Sequence, residues 1–180
     1  MRVITGKARG VVLKTPDGMA TRPTTDRVKE ALFNIIQFEI PTARVLDLFG
    51  GTGQLGIEAL SREAKSAVFV DEREEACRLI RENLKRTKLE QYARVIRSDY
   101  MAYLKTCKEK FDIILLDPPY AEVFLENSLK MITEIDILQS GGIIVAERPI
   151  GKELPWEFPG YSRSRDYKYG KTLITIYRKL

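Results

Sequence analysis

Between residues 44 and 146 five short apolar runs alternate with helical stretches, and this alternation limits the fold more than any other feature of the chain. The runs lie at 44–48, 67–70, 93–97, 111–116 and 142–146. Helical patterns fill the gaps at 54–62, 73–86, 100–107 and 125–135. Parallel strands need a crossover between them, and such crossovers are right-handed. Repeated strand–helix units therefore predict a Rossmann-like, doubly wound α/β fold with a mostly parallel sheet. The unbroken stretch Ile113-Ile114-Leu115-Leu116 suits a strand covered on both faces.

The two ends of the chain read differently. Residues 161–167 and 172–177 alternate around a turn at Tyr169-Gly170, which predicts an antiparallel hairpin at the sheet edge and seven strands in all. Arg2 to Thr5 and Val11 to Lys14 flank a loop with Gly6 and Gly10, a small N-terminal β-hairpin. Thr15-Pro16-Asp17-Gly18 has turn composition. A helix should then start near Thr24 or Thr25, either of which can cap it. Its buried face would carry Val28, Ala31, Leu32, Ile35 and Ile36, and Pro41 would end it. A chain of 180 residues suits one domain, divided here into a basic extension at 1–22 and a core at 23–180.

Two absences narrow the chemistry. With no histidine, His-based triads, His general bases and His-ligated zinc are excluded. Cys77 and Cys107 form no CxxC pair and leave too few soft ligands for a metal. The longest apolar runs are too short to span a bilayer, and the first residues lack the apolar region of a signal peptide, so a cytoplasmic protein is expected. Charge is uneven: residues 1–30 and 152–180 each carry seven Lys/Arg against three Asp/Glu, while the middle is mildly acidic. Basic ends suit a polyanionic partner, with Arg9 and Arg22 as candidate contacts.

Three motifs carry chemistry, each at the carboxyl end of a predicted strand. The first runs from Val45 to Gly56, with Gly51, Gly53 and Gly56 in a G-x-G-x-x-G pattern. Such a turn lets backbone approach a ligand at an electropositive helix start. Asp47 precedes the glycines and would repel a pyrophosphate. A ligand with a cationic end, such as the methionine-like ammonium of S-adenosylmethionine, fits better than a dinucleotide. The second signal is Asp71, 24 residues after Asp47, placed to accept from the ribose hydroxyls of an adenosine. Ser98-Asp99-Tyr100 occupies the same topological place on the third strand. There Asp99 either accepts from the adenine amine or caps the next helix, and Tyr100 can pack on the ring.

The third motif, Asp117-Pro118-Pro119-Tyr120, is the most specific. Prolines cannot donate backbone hydrogen bonds, so the turn presents carbonyls. Asp117 and the Pro118 carbonyl can accept both hydrogens of an exocyclic amine while Tyr120 stacks on the base. Two acceptors would aim the lone pair of a weakly nucleophilic aromatic amine at an electrophile. These three residues are the catalytic candidates.

Asp-Pro-Pro-Tyr in this order resembles the signature of S-adenosylmethionine-dependent amino-methyltransferases acting on nucleic-acid bases. The whole chain is similar to one family among them, the bacterial 16S ribosomal RNA guanine-N2 methyltransferases. Residues 2–6 with Arg9-Gly10, residues 21–34 and residues 47–62 carry the resemblance, which departs only at Gly50 and Thr52, where Ala and Ser are usual. The resemblance implies a seven-stranded methyltransferase sheet and cofactor contacts at Asp47, Gly51, Thr52, Gly53, Asp71, Asp99 and Tyr100. It implies a guanine N2 amine facing Asp117 and Tyr120, and 16S rRNA, in a small-subunit particle, as partner. Thr25 and Arg27 either reach the methionine carboxylate or, for Arg27, contact phosphate. Adenine N6 or cytosine N4 methylation, a dinucleotide-dependent oxidoreductase and a cofactor-free RNA-binding module are the rival readings. The core also leaves little chain for a DNA-recognition region, which favours RNA.

Overall fold

Strand β1 (Arg44–Asp47) is buried from Val45 onward and lies at the centre of the sheet. In this computed structural model residues 1–17, 23–119 and 121–180 are described, with side chains except at 23–25, 121 and 122. Strands β2 (Ser66–Asp71) and β4 (Phe111–Leu116) pair with β1 in parallel on its two sides. Beyond them lie β3 (Ala93–Arg97) and β5 (Leu138–Pro149), also parallel. Antiparallel β8 (Thr172–Lys179), β7 (Tyr161–Tyr169) and β6 (Glu157–Phe158) finish the order β3-β2-β1-β4-β5-β8-β7-β6. The chain runs outward from β1 to β3 and then returns to start β4 on the other side of β1. That reversal sets the switch point between β1 and β4, where an open α/β sheet leaves a crevice at its carboxyl edge.

Side-chain alternation splits the core into two layers. Val45, Phe69, Ile113, Leu115 and Val145 face helices α1 (Pro23–Ile35), α2 (Gln54–Ser61) and α3 (Glu74–Thr87). Leu46, Val70, Ile114, Leu116 and Ile144 face α4 (Tyr100–Thr106) and α5 (Ala121–Ile135). Each fully buried aliphatic side chain of this kind contributes about 1.5–3 kcal/mol. Gly56 permits the close approach of α2 to β2, since a Cβ there would stand 2.3 Å from the Phe69 ring.

The N-terminal hairpin forms as expected, with Val3 N donating to Val11 O, Gly10 N to Val3 O and Leu13 N to Met1 O around an antiparallel bridge between Arg2 and Val12. Three expectations need adjustment. The sheet holds eight strands, because a two-residue strand, β6, sits between Pro155 and Pro159 and is too short to show alternation. Strand β5 begins at Leu138 and bulges before Ile143, where Gly141 takes a left-handed φ of 76°. Helix α1 starts at Pro23, so Thr24 and Thr25 lie inside its first turn. Its buried face is turned from the expected one: Lys29 and Phe33 are buried alongside Val28, Leu32 and Ile36.

The reason for a buried lysine is the N-terminal segment. Lys29 Nζ donates to the Arg2 carbonyl at 2.5 Å and lies 3.8 Å from Glu58 Oε2. Burial, the dominant cause, pulls the Lys29 pKa down, against the charge of Glu58. Glu58 accepts from the backbone of Ile4 and Thr5 at 2.8 and 3.0 Å and from Arg62 Nε at 2.9 Å. Gly6 takes a φ of 93° against α2, and a Cβ there would meet the Ser61 carbonyl at 1.8 Å. Asn83 on α3 accepts from Lys14 N at 2.7 Å and donates to Lys14 O and Thr52 O at 3.0 and 2.9 Å. The first fourteen residues are thus bound to α2 and α3 through buried polar groups.

Candidate active site

Four acids lie at or near the carboxyl ends of strands: Asp47 and Asp71 end β1 and β2, Asp117 follows β4, and Glu147 lies two residues before the end of β5. Asp47 follows Val45, Asp71 follows Phe69, Asp117 follows Leu115 and Glu147 follows Val145, each by two residues. Period-two alternation therefore turns all four toward the α2 side. A cavity of about 310 Å³ opens over the first three, within the size range of small-molecule sites. Asp47, Gly51, Thr52, Asp71, Asp99, Tyr100, Asp117 and Pro118 line it, so most of the predicted site residues converge there.

The turn after β1 explains how backbone enters this cavity. Gly50 N donates to Val70 O at 2.8 Å and Gly53 N to Gly50 O at 2.7 Å. Gly51 takes a φ of 58°, and the space beside it is open. Gly53, with φ 79°, caps α2 and packs on Ile57 and Ile80 rather than lining the cavity. Asp47 is buried, with Oδ2 accepting from Gly56 N at 3.1 Å and Oδ1 left without a partner. Gln54 Oε1, also at the cavity, is buried and unpaired. Burial foremost, then the charges of Asp117 and Asp71, pushes the Asp47 pKa up to about 8, against the Gly56 N–H.

Asp71 is more heavily engaged than a free ribose acceptor. Its Oδ2 accepts from Gly51 N at 3.0 Å, and its Oδ1 from Arg73 N at 3.0 Å and Arg73 Nε at 3.2 Å. Arg73 Nη2 adds a fourth donor, 3.3 Å from Oδ2, so the four or so lone-pair sites of the carboxylate are engaged and a ribose hydroxyl would replace one of the exposed Arg73 contacts. Asp99 performs the capping role weighed for it, accepting from Ala102 N at 3.0 Å, while staying at the cavity wall. Tyr100 belongs to an aromatic trio. Its ring lies 5.2 Å from Phe49 and 5.3 Å from Phe124, and those two rings are 6.2 Å apart. The trio, with Tyr100 tilted 45° to Phe49 and 68° to Phe124, gives the cavity an apolar wall beside its acidic floor.

At the other end, burial pushes the Asp117 pKa up to about 6. Burial, and then the charge of Asp117, pushes Glu147 up to about 8. Leu116 pairs with Ala146 in the parallel register, so Asp117 and Glu147 are the next opposed positions. Arg9 and Arg27 are exposed and line no part of the cavity. Arg22, Tyr120 and the Thr25 side chain lie outside the described residues.

Sequence reasoning missed Phe49, Gln54, Phe124 and Glu147. Phe124 fell one residue before the expected helix start. Glu147 carried a usable signal, for it follows the fifth apolar run as Asp117 follows the fourth. Phe49 and Gln54 had none beyond their place beside the glycines.

The residues fit S-adenosylmethionine on this geometry. An unpaired buried carboxylate oxygen asks for a cationic or N–H donor, the acid at the β2 end can exchange exposed Arg73 contacts for hydroxyls, and the rings offer apolar contact to a purine. Comparison with known proteins agrees in fold and family. Residues 1–178 match the family model described as Conserved hypothetical protein 95. YlbH of Bacillus subtilis, provisionally named an rRNA methyltransferase, is 42% identical over 99% of both chains. The ribosomal RNA small subunit methyltransferase D of Escherichia coli K12 is 33% identical over 99% of this chain and 90% of its own. The solved structure of Escherichia coli yhhF, provisionally named a methyltransferase, superposes with a TM-score of 0.90 at 31% identity, covering 99% of this chain and 97% of that one. The chain therefore belongs to the family of the ribosomal RNA small subunit methyltransferases D.

Proposed function

We propose that the protein transfers a methyl group from S-adenosylmethionine to the exocyclic N2 amine of a guanine in 16S rRNA, in a small-subunit particle. The observation that carries this is the joining of two different acid environments in one cavity: Asp47 and Asp71 by the glycine turn, Asp117 and Pro118 at the far rim. Family membership with rRNA methyltransferases supports the substrate class. A ribosomal RNA substrate implies work in the cytoplasm.

In this reading Asp47 and Gln54 hold the methionine end, Asp71 the ribose, and Asp99 with the aromatic trio the adenine. When bound, S-adenosylmethionine supplies an electrophilic methyl group on a sulfonium. Asp117 and the Pro118 carbonyl accept from the target amine and fix its lone pair in line. Asp117 also stabilises the positive charge that grows on nitrogen, an electrostatic contact prepared before the reaction. The raised pKa of Asp117 equips it to pass on the proton the amine sheds. Arg9, Arg22 and Arg27, with the basic ends, hold phosphate.

Mass-spectrometric mapping of 16S rRNA from cells with and without the protein tests the reading. One N2-methylguanosine should be lost with the protein and restored by adding it back. Calorimetry should give binding of S-adenosylhomocysteine and none of NAD. A lost N6-methyladenosine or N4-methylcytosine instead would reassign the base.

A further inference from the structure

The row of acids at the carboxyl edge runs one strand farther than amine capture requires. Asp117 and the Pro118 carbonyl already supply two acceptors for the two amine hydrogens. Glu147 stands at the opposed position on β5, on the same face of the sheet. It is electrostatically in touch with Asp117. Among the described residues neither carboxylate makes a hydrogen bond or ion pair. Both residues are half-buried, so their oxygens stay open to a donor from outside the chain.

The three bases with an exocyclic amine differ in what lies beside it. In guanine the neighbour on the Watson–Crick edge is the ring N1–H, a donor. In adenine and cytosine the neighbouring ring nitrogen is a bare acceptor. Above about pH 8, where Glu147 as well as Asp117 is ionised, two adjacent carboxylates match two adjacent donors and repel a donor–acceptor pair. Resting on the guanine-N2 reading above, we propose that Glu147 is a specificity-determining residue that accepts the N1–H of the target guanine while Asp117 holds its N2 amine. The site then chooses guanine by the ring atom next to the amine, a choice the Asp-Pro-Pro-Tyr turn alone does not make.

The test is a cycle of two bases and two enzymes. Small-subunit particles are reconstituted with 16S rRNA carrying either guanosine or 2,6-diaminopurine at the mapped position. The second base keeps the 2-amine but presents N1 as an acceptor. Wild-type enzyme should prefer guanosine by about 10²-fold or more in single-turnover methyl transfer above about pH 8, where Glu147 is ionised. Glu147→Gln offers an amide N–H to a bare N1 and should bring that preference below about tenfold, with S-adenosylhomocysteine affinity unchanged. The coupling between enzyme and base is the readout, so the other difference between the bases, at position 6, cancels. An unchanged preference in a folded Glu147→Gln enzyme overturns the proposal, as do equal wild-type rates on the two bases. Should Glu147→Gln not fold, Glu147→Ala takes its place in the cycle and should lower the guanosine rate alone. If wild-type enzyme leaves guanosine-bearing particles unmethylated, the guanine-N2 reading itself fails, an outcome distinct from a flat cycle.

Discussion

The two ends of the cavity treat their carboxylates in opposite ways. At the β2 end Asp71 is tied down by Gly51 N–H and by Arg73, and its position is set before any ligand arrives. At the β4 end burial raises the pKa of Asp117 to about 6, and that of Glu147, beside it but outside the cavity lining, to about 8, with no hydrogen-bond partner for either among the described residues. The first arrangement suits holding a part of a ligand, such as a ribose, that does not change during the reaction. The second leaves desolvated acceptors whose strength is released only when an amine meets them.

The sharpest way to break this contrast is Asp117→Asn. It keeps the shape, removes the charge and should cost about 10²–10³ in single-turnover rate. S-adenosylhomocysteine affinity, measured alongside by calorimetry, should hold within about twofold. An equal loss in both readouts would erase the division between the ends.

Next in size is Asp71→Ala. Losing charge-assisted hydrogen bonds worth roughly 1.5–3 kcal/mol should weaken S-adenosylhomocysteine about tenfold or more. Rate at saturating cofactor should fall much less. A folded variant with wild-type affinity would remove Asp71 from the cofactor site.

The third test varies pH. Asp47 titrates in the folded protein near 8, far above its ordinary 3.8, so the folded state holds more protons than the unfolded one between those values. Stability gained from the protonated group is full below about pH 4 and is lost as pH rises toward 8. Melting temperature should therefore fall from pH 5 to pH 8, and Asp47→Asn should flatten that slope. Turnover should move the other way, rising above pH 6 as Asp117 ionises. A melting curve that rises over this range contradicts the burial of an unpaired Asp47 oxygen.

The smallest effect concerns phosphate. Arg9→Glu should weaken RNA binding a few-fold at low salt and reduce the slope of log affinity against log salt by about one. Cofactor affinity should not change. An unaltered slope would make Arg9 ordinary surface charge.

Much of this was legible because the fold writes its site at one edge. Strand ends are readable, so Asp47, Asp71, Asp99 and Asp117 could be named from position alone. What escaped depends on three-dimensional neighbours. Nothing along the chain tells that Gly53 packs on Ile80 instead of facing a ligand, or that Phe49, Tyr100 and Phe124 meet from three different connections. The engagement of Asp71 by Arg73 was equally invisible, since an Asp two residues before an Arg at a helix start is common on any surface. Lys29 was overlooked because periodicity treats lysine as solvent-facing, whereas the Arg2 carbonyl and Glu58 give it a buried place. β6, two residues long, is too short for any pattern to form.

The amide of Asn83 has a consequence for the order of events during synthesis. Lys14 lies 69 residues before the side chain that satisfies both its backbone groups, and Ile4 lies 54 before the Glu58 carboxylate that receives its N–H. The first part of the chain to be made must therefore wait, its polar backbone in water, until α3 has emerged. Contacts of such long separation form late and fold slowly. By then β1 and β2 can already have paired, so the arrival of residues 1–14 on α2 and α3 would mark the moment when the glycine turn at Thr52, held by the same Asn83, takes its final shape.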